Sequence, residues 1–165
     1  MFAYYRQIAN RSILPIGLYD RGANSPFSVP QNQLLDLLVS ERQIVMVKDS
    51  SINPDRRSLY LEAKQRRPDL LLLSGDEFDC VTYLHAGYDG LLLGGGVFNA
   101  SIARRIIARV RAGDIAGATA LQARMTDLML RVYGGQKIES WLAGLMELLV
   151  QLGVFATRTD LIGNP

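Results

Sequence analysis

Four short apolar runs punctuate the chain: Ile13-Leu14-Pro15-Ile16-Gly17-Leu18-Tyr19, Ile44-Val45-Met46-Val47, Leu70-Leu71-Leu72-Leu73 and Gly90-Leu91-Leu92-Leu93. Runs of this length predict strands, and the unbroken apolar stretch before Lys48 predicts one buried on both faces, as in a parallel sheet covered by helices. Pro15 falls near the start of the first run, where a missing N–H is tolerated. The intervening stretches are amphipathic and predict helices. Residues 2–10 place Phe2, Tyr5 and Ile8 on one face. Ser28 as N-cap with Pro30 in the first turn opens a second helix, continued by Leu34, Leu35 and Leu38. Asn53-Pro54-Asp55 opens a third, which runs to about Arg67 and stops at Pro68. A helix over 77–86 ends at Gly87, a C′ glycine. Helices near 99–111, 114–131 and 137–152 follow, broken by Gly113, Gly134-Gly135 and Gly153. The last sets Trp141, Leu142, Leu145, Leu148 and Leu149 on one face, for the core or for packing between subunits.

Strand–helix units repeated four times, then extra helices, predict an α/β protein with a parallel sheet. Residues 1–112 hold the four units, and 113–165 form a helical extension of the same domain. An open doubly wound sheet and part of a (β/α)8 barrel both fit, and both place ligands at the C-terminal ends of strands. Those ends carry Tyr19, Lys48, Gly75-Asp76-Glu77 and Gly94-Gly95-Gly96. An ammonium at the end of a buried strand must reach water, find a partner or lose its proton. Lys48 is therefore either a snorkelling lysine or a nucleophilic amine of the kind that forms Schiff bases. Tyr19 ends the neighbouring strand, and its phenol either relays protons to a carbonyl at Lys48 or caps the core. Asp76 and Glu77 accept hydrogen bonds from substrate hydroxyls, or else favour the N-terminus of the next helix. The glycines at 94–96 either bring backbone N–H groups to an anion or make room for a tight turn. They lack Gly-x-Gly-x-x-Gly spacing and a P-loop lysine, which weighs against a nucleotide.

Composition narrows the classes. With 48% hydrophobic and 21% charged residues the chain is an ordinary globular protein. A net charge of +2, spread over helical patterns, does not make a nucleic-acid surface. One cysteine, Cys80, allows no internal disulfide and points to a reducing cytoplasm. One histidine, His85, excludes a multi-histidine metal site. The N-terminal residues do not read as a signal peptide, and no apolar run reaches the ~18 residues of a membrane helix.

The motifs Leu14-Pro15-Ile16-Gly17-Leu18-Tyr19, Ile44-Val45-Met46-Val47-Lys48-Asp49-Ser50-Ser51, Leu72-Leu73-Ser74-Gly75-Asp76-Glu77 and Gly87-Tyr88-Asp89-Gly90-Leu91-Leu92 occur in this order. Together they resemble the C-terminal half of the pyruvate-dependent class I aldolases of the dihydrodipicolinate synthase and N-acetylneuraminate lyase family. The resemblance covers essentially the whole chain and implies the C-terminal half of a (β/α)8 barrel followed by extra helices. It implies that Lys48 forms the imine with pyruvate and that Tyr19 relays protons. The stretch Gly75-Asp76-Glu77 would contact a hydroxylated substrate tail, and Leu92 and Gly94 would line the site from the last strand. The implied chemistry is reversible carbon–carbon cleavage through an enamine, without a metal or organic cofactor, in a cytoplasmic protein. The implied assembly is a homo-oligomer or a pairing with a complementary half-barrel.

Two departures shape the expectation. Dihydrodipicolinate synthases of the family show Tyr-Asn-Val-Pro and then an arginine for a dicarboxylate. This chain has Tyr19-Asp20-Arg21-Gly22-Ala23-Asn24, with Asn24 at the matching place, which favours a 2-keto-3-deoxy sugar acid or related keto acid. The family's first four strand–helix units, which supply the pyruvate carboxylate contacts and a second tyrosine, are absent, and four strands do not close such a barrel alone. The expectation is a Schiff-base aldolase or lyase half with little turnover by itself. The alternative is a non-catalytic half-barrel whose role is association, or an inactive remnant of the family.

Overall fold

Four parallel strands lie side by side in chain order: β1 (Ile16–Asp20), β2 (Ile44–Asp49), β3 (Leu71–Ser74) and β4 (Gly90–Leu91). The computed structural model describes residues 1–22 and 25–159. Helix α1 (Phe2–Arg11) precedes β1, and the strands are followed in turn by α2 (Gln31–Ser40), α3 (Pro54–Arg66), α4 (Cys80–Ala86) and α5 (Gly96–Arg111). Helices α6 (Ile115–Val132) and α7 (Trp141–Gln151) complete the chain. A doubly wound sheet reverses its strand order at a switch point. Here the order never reverses, so the sheet is half of a (β/α)8 barrel.

The two faces of this sheet differ. Leu18, Val47 and Leu72 stand in one register row, and Asp20, Asp49 and Ser74 in another; all six are buried. Leu18, Val47 and Leu72 meet Leu34, Leu37 and Leu38 of α2, Leu59, Tyr60 and Ala63 of α3, and Tyr83 of α4 in one apolar core. The residues between them, Gly17, Tyr19, Met46, Lys48, Leu71 and Leu73, share the other face and are half-buried or exposed. Tyr19 is 53% and Leu71 47% exposed. The apolar run of β2 is thus covered on one face only. A barrel strand is apolar on both sides because its second face is meant for the barrel interior.

Local chemistry sets the element ends. Asn53 caps α3, its side chain accepting from the N–H groups of Asp55 (2.9 Å) and Arg56 (3.3 Å). Gly87 ends α4 in the left-handed region, φ 114°. Ser28 does not cap α2: Pro30 holds the cap position, and the Ser28 Oγ instead accepts from Arg56 Nη2 at 3.0 Å. Helix α4 begins at Cys80, later than the expected 77. The Asp76 Oδ1 accepts from Phe78 N–H (3.0 Å) and the Ser74 Oγ from Asp76 N–H (3.1 Å), local bonds that hold a turn against a helix. Strand β1 starts only at Ile16, leaving Ile13 and Leu14 exposed. Strand β4 is two residues long, and α5 begins at Gly96, ahead of the expected 99.

The chain divides into two compact units, Met1–Gln122 and Ala123–Pro165. Within the second, Gly144 lies so close to the Val132 carbonyl that any side chain there would overlap it. Tyr133 and Trp141 meet edge to face at 6.4 Å. No residue of α7 is fully buried, and residues 144–150 are half-buried. Among the described residues no helix is long and apolar enough to cross a membrane.

Candidate active site

The strand register brings the two reactive side chains together. Tyr19 pairs with Lys48 across β1 and β2, and both point to the open face. The Lys48 Nζ lies over the Tyr19 ring, 4.2 Å from its centroid, within the range of a cation–π contact. Strand alternation produces this arrangement: the residues on either side of each, Leu18 and Asp20, Val47 and Asp49, point into the helical layer.

Gly75 joins them from the end of β3. Its N–H donates to the Asp49 carbonyl at 2.7 Å, extending the β2–β3 ladder one step beyond Ser74. A Cβ at this position would overlap the Ser50 hydroxyl and stand 3.1 Å from Lys48 Cε. Tyr19, Lys48 and Gly75 are therefore contiguous.

The acidic pair sits differently. Asp76 is 9% exposed, caps its own turn, and is held above the usual carboxylate range, first by burial and then by the neighbouring charges of Asp79 and Asp49. One Glu77 carboxylate oxygen accepts the Gly95 N–H at 2.7 Å. The anion at the glycine run and at the start of α5 is thus supplied by the chain itself. Leu92 and Gly94 are exposed where the chain leaves β4. Asn24 lies outside the described residues.

Cys80, under this turn, is fully buried with its thiol directed at the Asp76 and Glu77 carbonyls. Burial and the nearby carboxylates push its pKa up to about 12. At pH 8 a disulfide reagent should modify the folded protein about a thousandfold more slowly than the urea-unfolded chain, because only the thiolate reacts. Equal rates in the two states would show that the turn opens freely.

Sequence reasoning missed the layer beneath. Asp20, Asp49, Tyr60 and Tyr88 are all buried behind the site. The signal that marks them is the repeated pairing of a site residue with an aspartate at a strand end, Tyr19-Asp20 and Lys48-Asp49. Strand alternation necessarily turns the second member toward the helical layer.

The fold and this geometry define a class: half of a parallel (β/α)8 barrel with a lysine and a tyrosine side by side on its inner face, at the C-terminal ends of the strands. A sequence model of the Dihydrodipicolinate synthetase family matches residues 1–159, and the chain belongs to that family. The 4-hydroxy-tetrahydrodipicolinate synthase of Anaeromyxobacter sp. (strain K) is 27% identical over 135 residues, 78% of this chain and 43% of that protein. The dihydrodipicolinate synthase of Thermotoga maritima shares the fold with a TM-score of 0.84 at 17% identity, covering 99% of this chain and 55% of that one. An E. coli K12 prophage protein of the dihydrodipicolinic acid synthase family, solved in complex with pyruvate, aligns with a TM-score of 0.75 at 21% identity, over 90% of this chain and 50% of its own. The chain spans about half the length of the relatives it matches.

Proposed function

We propose that this chain is the imine-forming half of a Schiff-base aldolase or lyase acting on pyruvate and a 2-keto-3-deoxy sugar acid or related keto acid. The observation that carries the reading is the Lys48 amine seated on the Tyr19 ring, on the open face at the strand ends. In the cleavage direction the neutral Lys48 amine attacks the C2 carbonyl, and the carbinolamine loses water to give a protonated imine. That imine takes up the electron pair of the C3–C4 bond as it breaks, and the C4 hydroxyl proton leaves as the aldehyde forms. Protonation of the enamine at C3 and hydrolysis return pyruvate and the free amine. Tyr19 carries protons between these oxygens and solvent. Gly75, Leu92 and Gly94 line the approach of the substrate tail, and Asp76 and Glu77 hold the turn and the glycine run beside it.

The reading includes a partner. The inner face carries Met46, Leu71 and Leu73 beside Lys48, and an apolar cavity of about 290 Å³ runs beside β1, lined by Tyr5, Ile8, Ile16, Gly17 and Ile44 among others. A complementary half-barrel or a second chain would cover these and hold the pyruvate carboxylate. Turnover by the chain alone is therefore expected to be low.

Borohydride reduction in the presence of pyruvate tests the proposal. Mass spectrometry should find the reduced pyruvate adduct on Lys48, none in Lys48→Ala, and adduct formation in Tyr19→Phe slowed about 100-fold. Absence of the adduct at saturating pyruvate would leave the second reading, a non-catalytic half-barrel for association, which the uncovered apolar face favours.

A further inference from the structure

Behind Tyr19 and Lys48, on the helix-covered face, Asp20 and Asp49 stand in register across β1 and β2, 7% and 1% exposed. Two neighbouring carboxylates in a buried layer lose hydration and repel each other. In a layer that served packing alone, apolar residues of similar volume would do as well or better. Each aspartate instead divides its two oxygens in the same way. The Asp49 Oδ1 accepts from the N–H (2.9 Å) and Oγ (2.7 Å) of Ser51, in the loop after β2, and its Oδ2 accepts from the Tyr88 phenol at 2.7 Å. The Asp20 Oδ1 accepts from Gly22 N–H (2.8 Å), in the loop after β1, and its Oδ2 accepts from the Tyr60 phenol of α3. The Arg56 Nε stands 3.8 Å from that same Oδ2.

One oxygen of each carboxylate thus holds the outgoing loop, and the other is held by a tyrosine of the core, Tyr60 from α3 and Tyr88 from the connection between α4 and β4. Burial first, and then the carboxylate itself, raise the Tyr60 and Tyr88 phenols above their ordinary range, so both remain donors. Main-chain bonds join the two anchors in series: Ser50 N–H donates to the Asp20 carbonyl (2.8 Å) and Gly75 N–H to the Asp49 carbonyl (2.7 Å). The ends of β1, β2 and β3, which carry Tyr19, Lys48 and Gly75, are tied to one another through these two aspartates.

We infer that the Asp49–Tyr88 and Asp20–Tyr60 pairs are positioning residues, which fix where the Lys48 amine stands relative to Tyr19. The inference rests on the proposed role of Lys48 and deepens it. Neither pair touches substrate.

The test uses the full chain and Tyr88→Phe, which removes one oxygen, with Ser51→Ala as a second, milder variant should the first fail to fold. Three quantities are read: amide hydrogen exchange, the rate of borohydride trapping against pyruvate concentration, and the pH profile of Lys48 methylation by formaldehyde and cyanoborohydride, with exposed Lys137 as internal reference. Exchange at Ser51 and Gly75 should rise about tenfold with α2 and α3 unchanged. The limiting trapping rate should fall about tenfold, with little change in the half-saturating pyruvate concentration. A trapping rate equal to that of the parent, or protection lost uniformly with thermal stability, would overturn the inference and leave the pairs a structural role. If the parent itself traps no pyruvate, the proposed function fails, and the methylation profile decides the inference separately. A shift of the Lys48 profile relative to Lys137 in the variant upholds positioning, and an unmoved profile overturns it.

Discussion

Gly75→Ala is expected to cut pyruvate trapping at Lys48 by about 100-fold while the half-barrel stays folded. The reason is space, not backbone conformation. Gly75 is not among the glycines with positive φ, so alanine fits its backbone without strain. A methyl group there overlaps the Ser50 hydroxyl and comes within 3.1 Å of both Ser50 Cβ and Lys48 Cε. The hydroxyl can rotate away, but Lys48 can yield only by moving its stem, and the stem sets where the amine stands. Ser50 and Gly75 are only half-buried, and no core residue of the helical layer is disturbed, so the stability change should stay within ~1 kcal/mol. The rate of adduct formation by mass spectrometry and a thermal melt read the two effects separately. The Ser50→Ala/Gly75→Ala double variant removes the hydroxyl overlap and keeps the contact with Lys48, so it should recover only part of the rate. Full recovery would assign the whole effect to Ser50. A parent-like rate in Gly75→Ala would show that the Lys48 stem adapts without loss.

Sequence alone made the succession of strands and helices and the reactive pair readable, because each is written in a local pattern, whereas the order of the strands in the sheet and the crowding at Gly75 depend on contacts between segments. A short apolar run ending in Tyr19 or Lys48 identifies both a strand and the end at which ligands bind. The open inner face was not readable in this way. A barrel strand is apolar toward both its helices and its interior, so the run at 44–47 looks the same whether or not the interior is filled. The length of the turn beyond Asp76, which delays α4 to Cys80, and the partner of Glu77 were also hidden. Whether a carboxylate after a strand faces a ligand, its own backbone or a neighbouring helix depends on a contact 18 residues away, at Gly95. The buried aspartates escaped for a related reason: their partners, Tyr60 and Tyr88, come from 40 and 39 residues along the chain. Arginines were the least legible of all. Arg67, in Gln65-Arg66-Arg67-Pro68, reads as one more charge on a solvated helix face, yet it is 1% exposed.

Arg67→Ala is expected to lower stability by about 3–5 kcal/mol, the cost of breaking a buried charged network. The guanidinium caps the end of α2 and the loop into β2. Its Nη1 donates to the carbonyls of Leu38 (2.9 Å) and Glu41 (3.0 Å), and its Nη2 to that of Arg42 (3.0 Å). On the other side its Nε reaches Asp69 at 3.3 Å. Alanine leaves three carbonyls without these donors, each worth about 1–3 kcal/mol where water does not enter, and opens a cavity in place of the side chain. Glu41 lies in the same loop, 7% exposed and paired with Arg6 at 2.7 Å, so loss of the Arg67 cap loosens the α1–α2 contact as well. Lysine should restore less than half of the loss, since one ammonium cannot reproduce a planar fork that spans three acceptors. Urea denaturation followed by circular dichroism measures the effect, with the midpoint expected to fall by about 1–2 M. A loss below ~1 kcal/mol would show that water replaces the guanidinium at the end of α2. Because β2 leaves this loop at Ile44, whose N–H donates to the Glu41 carbonyl at 3.0 Å, the same cap sets the start of the strand that ends in Lys48. Trapping by the folded fraction of Arg67→Lys should therefore slow less than in Gly75→Ala: Arg67 holds the far end of β2, four residues before Lys48, whereas Gly75 touches the lysine itself.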